Sequence, residues 1–213
     1  MFRVTIAAVL AALTFAIAAD AAPITDDVAR TLIYTSRDAE IRTTPAPGIS
    51  SGALASIAAQ VRGLAYYGAV AASVHPDGKV AFVAAADYNN SIAARQAALA
   101  SCKAGQPVGA TCAVVADIVP KGWTPRALEM GRSATGMYMQ FYMRDAGPKA
   151  FAFSPSRPAS GLARGPDAVS RALSACRSGT RGGRGGTTCY NADGRLDCSA
   201  GVPATDCRLA IEN

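Results

Sequence analysis

Six cysteines, at positions 102, 112, 176, 189, 198 and 207, restrict this chain more than any other feature. Two of them each close an alanine-rich stretch, Ala98-Leu99-Ala100-Ser101-Cys102 and Ala172-Leu173-Ser174-Ala175-Cys176. Two others each open a strand-like run, Cys112-Ala113-Val114-Val115-Ala116-Asp117-Ile118 and Cys207-Arg208-Leu209-Ala210-Ile211-Glu212-Asn213. Ahead of each stands a strand-like block ending in serine, Gly68-Ala69-Val70-Ala71-Ala72-Ser73 and Lys149-Ala150-Phe151-Ala152-Phe153-Ser154. Three blocks in one order make an internal repeat. Val169, Ala172, Leu173 and Cys176 follow helical spacing, as do Ala98, Leu99 and Cys102, so each cysteine ends a helix on its buried side. Each partner begins the next strand. The pairs predicted are therefore Cys102–Cys112 and Cys176–Cys207. Cys189 and Cys198 remain, inside an insertion over 178–206 that only the second unit carries. They flank Asp193-Gly194, a hairpin turn signal, and a bridge between them would close a small hairpin.

The fold class read from this is α+β, with two related strand–strand–helix–strand units, disulfide-clipped and preceded by short N-terminal helices. Unit 1 spans 67–119. His75-Pro76-Asp77-Gly78 is a turn between strands 70–74 and 79–85, and Asn89, Asn90 and Ser91 offer caps for a helix over 92–103. Unit 2 spans 148–213, with Pro166 at its helix start. The segment 22–66 reads as helical, with one or two turns over 25–34 and a helix over 51–64. The segment 43–48 is extended or loop. Between the units, within 120–147, Thr124-Pro125 opens a helix through 144 despite Gly131 and Gly136. It carries Met130, Met137, Tyr138, Met139, Phe141, Tyr142 and Met143. Two readings suit it: a core helix packing between the units, or a contact surface for a partner.

Met1-Phe2-Arg3, an uncharged apolar run over 4–19 and Ala19-Asp20-Ala21 have the form of a cleaved secretory signal peptide over 1–21. The run is too short for a spanning helix. An even number of cysteines, with no Cys-x-x-Cys and one histidine, fits disulfides in an oxidising compartment better than a metal site. The expected location is the periplasm or the medium. With half its 213 residues apolar, the chain is not disordered, collagenous or a multipass membrane protein. Acidic and basic residues balance between 22 and 119, and the net charge of +6 comes from 120 onward. The insertion doubles an Arg-Gly-Gly unit, so Arg177, Arg181, Arg184 and Arg195 are the candidate anion-binding residues. Outside the cytosol the anions on offer are lipid headgroups, surface glycans and acidic envelope proteins; nucleic acid is not expected.

Tyr67-Gly68-Ala69-Val70-Ala71, the run 93–102 and Cys112-Ala113-Val114-Val115 resemble an exported bacterial domain of unknown function. Its members open with Trp or Tyr-Gly-Ala-(Ile/Val)-Ala, run through an alanine-rich helix to a cysteine, and continue from a second cysteine into a strand. Unit 2 departs from that pattern, with Pro148-Lys149 in place of Tyr-Gly, a short hairpin and the long insertion. From about 24 to 213, including Pro120-Lys121-Gly122-Trp123, the chain also resembles small exported proteins of alphaproteobacteria, some labelled 5-aminolevulinate synthase. The resemblance brings no catalytic residue with it. Such a synthase holds pyridoxal phosphate on a lysine. Lys79, Lys103, Lys121 and Lys149 are the only lysines, and none follows a strand in a glycine-rich phosphate cradle. No cofactor, metal or catalytic residue is assigned. His75 is accounted for as a turn residue. Glu40, Glu129 and Glu212 are the only glutamates, and Asn191, Asp193 and Asp197 lack the closing glutamate of a calcium loop. Three functions stay open: a non-catalytic exported binding or accessory module, a cell-envelope polyanion-binding protein, and the synthase.

Overall fold

A computed structural model describes residues 22–75, 77–105, 111–144, 146–179, 187–192 and 195–213. Helix α1 (Asp26–Leu32) and strand β1 (Ala39–Thr43) lead into α2 (Ser51–Val61), β2 (Gly68–Val74), β3 (Val80–Ala85), α3 (Ser91–Ala104) and β4 (Cys112–Pro120). Then come α4 (Arg132–Gln140), a 3₁₀ turn (Tyr142–Arg144), β5 (Lys149–Phe153), β6 (Ala159–Arg164) and α5 (Ala168–Ser178). Strands β7 (Thr187–Ala192), β8 (Arg195–Gly201) and β9 (Arg208–Glu212) end the chain. The protein is α+β, built as two disulfide-clipped units.

The two antiparallel sheets each have their own core clusters. One runs β1-β4-β2-β3 and the other β7-β8-β6-β5-β9. In each, the first strand of the unit lies between the other two, β4-β2-β3 and β9-β5-β6. The register of β2 against β4 shifts between Val70 and Ala71, and that of β5 against β9 between Phe151 and Ala152. These are the same positions of the aligned blocks. Alternation along the strand then sorts the side chains by face. Ala69 and Ala71 meet α3, and Ala150 and Ala152 meet α5. Val70 and Ala72 face α2, while Phe151 and Phe153 face α4. Each sheet is thus covered on both sides, by α2 and α3 in one unit and by α4 and α5 in the other.

Small residues let the clipped helices sit close. A Cβ at Gly161 of β6 would stand 2.2 Å from Ala172 O and 2.3 Å from Cys176 N of α5. The bridges Cys102–Cys112 and Cys176–Cys207, each with Cα atoms 6.1 Å apart, tie these helix ends to the following strands as expected. Cys189 and Cys198 face each other in the β7–β8 hairpin and form the third bridge. The Asp193-Gly194 turn lies outside the described residues.

Two expectations are corrected. The segment 22–66 is not wholly helical: β1 pairs with β4 from Ala39↔Pro120 to Thr43↔Ala116. An edge strand with one half-buried face carries little periodicity, and the pairing partner supplies its structure. The helix expected from 124 to 144 begins only at Arg132. Residues 121–131 instead fold back on the first unit, where Arg126 Nη1 donates to Leu32 O and its guanidinium lies 3.6 Å from the Tyr34 ring centroid. In this helix the core reading holds, since Met137, Tyr138 and Tyr142 are buried against Phe151.

The joint between the units is Asn89, which is 3% exposed. Its Nδ2 donates to Ala159 O at 2.9 Å and Ser154 O at 3.2 Å, and its Oδ1 accepts from Gly131 N at 3.2 Å. Beside it, Asn90 Oδ1 caps α3 at Ala93 N while its Nδ2 donates to Pro155 O. Replacing Asn89 by alanine orphans buried groups on both sides and costs about 3 kcal/mol in denaturant unfolding. Gly161→Ala, with no room for its methyl, costs at least as much, about 3 kcal/mol. A loss below about 1 kcal/mol in either would contradict these contacts.

Candidate anion-binding site

Two adjoining cavities open between the N-terminal segment and the linking segment that carries α4. One, of 490 Å³, is lined by Arg37, Asp38, Ala39, Glu40, Arg62, Leu64, Lys121 and Arg132. The other, of 380 Å³, is lined by Thr35, Arg37, Tyr66, Arg132, Thr135, Gly136, Met139, Gln140 and Arg144. Arg37 and Arg132 belong to both, so the cavities form one groove. It holds five cations. Among the described residues its only carboxylates are Asp38 and Glu40, both in the larger cavity, and Glu40 is already engaged by Arg42 and by Gly122 N. The described lining of the smaller cavity has three arginines and no carboxylate.

Local structure explains why these arginines converge. Tyr66, buried beneath the groove, donates from its hydroxyl to Ser36 O at 2.8 Å and holds the loop that carries Arg37. The carbonyl of Tyr66, in a cis peptide with Tyr67, accepts from Arg132 N at 3.0 Å and seats the first turn of α4. Residues 134, 137 and 138 of that helix enter the core, which turns Arg132, Gly136 and Gln140 to the opposite face, at i, i+4 and i+8. None of Arg37, Arg62, Lys121, Arg132 or Arg144 makes an ion pair among the described residues. Guanidinium groups stay charged at all relevant pH and present paired donors that fit oxyanions.

Two half-buried carboxyls hold the helix starts beside the groove. Asp87 Oδ1 accepts from Ser133 N at 2.9 Å and caps α4 from another element. Glu129 accepts from Ser91 N, at the start of α3, and from Trp123 Nε1 at 2.9 Å. Burial raises both carboxyls above their ordinary range. Asp26 is the opposite case: its hydrogen bond from Arg30 leads the influences holding it below the ordinary range.

The residues proposed from the sequence are scattered. Arg177 is exposed in the last turn of α5. Arg195 opens β8 and reaches over Gly165, near the other end of that helix. Arg181 and Arg184 lie outside the described residues. Asp197, considered for calcium, is gripped by Arg171, with Nη2 2.6 Å from Oδ1. Asp193 is outside the described residues. Among the described residues no three potential metal ligands come together. His75 closes the β2–β3 hairpin through its backbone, accepting from Gly78 N and donating to Lys79 O.

The four lysines stand in different surroundings. Lys149 is the one buried lysine, 3% exposed, with Nζ on Tyr142 O at 3.2 Å and 3.6 Å from Asp26 Oδ2, away from every cavity described. Lys79, Lys103 and Lys121 are exposed, and Lys79 pairs with Asp77. A Schiff-base lysine needs a free amine facing a slot for the ring; of the four only Lys121 lines one of the cavities described, among Arg37, Arg62, Arg132, Asp38 and Glu40. No protein-family model matches this chain, and no curated protein or solved structure is similar to it.

All six cysteines are paired, as in proteins of oxidising, extracytoplasmic compartments. Trp123, the single tryptophan, reports on Glu129 directly. Its fluorescence should titrate above the ordinary glutamate range, and Glu129→Gln should flatten the titration. The sign for stability follows from the raised carboxyls of Asp87 and Glu129. Their contribution is complete at low pH, where each is neutral, and declines as pH rises through the raised values. Glu129→Gln and Asp87→Asn should each remove part of that decline in urea titrations. A tryptophan signal with no midpoint in this range would contradict the assignment.

Proposed function

We propose that this protein is an exported, non-catalytic binding module, released from a signal peptide over 1–21, that takes anionic partners of the cell envelope into the groove between its N-terminal segment and α4. The observation that carries the reading is the groove itself: five cations without ion pairs among the described residues, around two connected cavities, one of which has no carboxylate among its described lining residues. Arg37 and Arg62 come from the N-terminal segment, while Lys121, Arg132 and Arg144 come from the segment that links the two units. We read the shared sheet order, the matching register shifts and the matching bridges as an internal duplication. Exposed Arg177 and the basic insertion are the secondary contact.

Retention on an anionic resin separates the two basic regions at equal charge removed. Arg37, Arg132 and Arg144 replaced together by glutamine should shift elution to clearly lower salt. Arg177, Arg181 and Arg184 replaced together should shift it less. The reverse order would move the contact to the insertion and overturn the groove.

A further inference from the structure

The glycine at position 136 is unexplained by the fold. It lies inside α4, where glycine is the least favourable residue apart from proline. Its φ is not positive. A Cβ there would meet nothing within 4 Å, so no neighbour excludes a side chain. Other glycines of this protein do have such reasons. A Cβ at Gly131, which caps the same helix, would stand 2.6 Å from Asp87 O and 2.7 Å from Tyr88 O. Gly136 instead lines the 380 Å³ cavity, midway along the helical stripe from Arg132 to Gln140, with Arg144 beyond. A bare helix surface facing an arginine-rich cavity is what close approach of a ligand to backbone requires.

The lining specifies the ligand further. Arg37, Arg132 and Arg144 reach the cavity from a loop, a helix start and the turn after the helix. One planar carboxylate is served by one guanidinium fork, whereas a phosphoryl group carries about two charges and three outward oxygens. The Thr35 hydroxyl and the Gln140 amide add neutral donors. Met139, 38% exposed, gives an apolar neighbour for an organic substituent. Among the described residues the only aromatic side chain in the lining is the buried Tyr66, and these residues offer no stacking platform for sugar rings. The volume is that of a small-molecule site.

We infer that the smaller cavity binds a phosphate ester, with the phosphoryl group seated over Gly136 among Arg37, Arg132 and Arg144. This rests on the groove being the binding surface. The ester is either a free metabolite or the headgroup of an anionic phospholipid. Calorimetry with inorganic pyrophosphate as the probe, against citrate at matched ionic strength, tests the chemistry. Pyrophosphate should bind and citrate should bind at least about tenfold more weakly. Gly136→Ala should raise the melting temperature, because alanine favours the helix, while weakening pyrophosphate about tenfold or more. A variant that is more stable yet binds less well cannot owe its loss to misfolding. Flotation with phosphatidylglycerol vesicles, against phosphatidylcholine, identifies the source. Binding to the former that Gly136→Ala abolishes assigns a headgroup, and pyrophosphate binding without flotation assigns a free ester. Equal citrate affinity, or unchanged pyrophosphate affinity in Gly136→Ala, overturns the inference. No pyrophosphate binding while resin retention still depends on the three arginines overturns it and leaves the basic groove standing. Loss of that dependence too overturns both.

Discussion

The buried amide of Asn89 is the contact on which the arrangement of this protein depends. Its hydrogens reach two carbonyls at the β5–β6 turn of the second unit, and its oxygen accepts from the residue that caps α4. A buried amide is stable only when its groups are paired, and here both partners lie across the joint. The neighbouring Asp87 and Asn90 point the same way, one capping α4 and the other capping α3 while holding Pro155 O. Three residues thus set the start of two helices and the placement of one unit on the other. Gly131 belongs to the same device, since its lack of a side chain lets the chain pass against Asp87 O and Tyr88 O.

Within each unit the physical logic is a sheet with unequal faces. The face of small residues takes a helix at close range and a disulfide fixes that helix to the next strand. An arginine on each helix adds an ion pair to an aspartate of its sheet, Arg95 to Asp117 and Arg171 to Asp197. The other face carries the larger side chains and most of the apolar burial, with Tyr138, Tyr142 and Phe151 in mutual contact in the second unit. A shallow alanine layer contributes less burial per residue, which gives the covalent clips their use. Lys149 is tolerated inside because Asp26, the Tyr142 carbonyl and the Tyr142 ring face it.

The groove follows from how the units are joined. Docking α4 by its N-terminus onto the first unit leaves one side of the helix over a cleft instead of over core. Tyr66 then holds two cationic positions at once, Arg37 through its hydroxyl and Arg132 through its carbonyl. Five like charges around one groove with two lining carboxylates among the described residues, Asp38 and Glu40, are a cost to the free protein, which a bound oxyanion relieves.

How much of this is legible without coordinates varies by distance along the chain. The cysteine pairing, the strand–strand–helix–strand order and the buried side of each helix are local properties of periodicity and spacing, and the amino-acid sequence alone determined them. A partly buried helix within 124–144 was also legible, from its run of methionine and aromatic residues. Strand β1 was not, because a five-residue edge strand takes its structure from β4, more than seventy residues away. Nor was the start of α4, which is set by carboxyl and amide caps on residues 87 and 89 instead of by its own flanks. Arg37 and Arg62 carry no local signal at all. Only the tertiary structure decided that they meet Arg132 and Arg144, because hydrogen bonds between distant backbone segments, and not charge patterning along the chain, bring those four positions around one cleft.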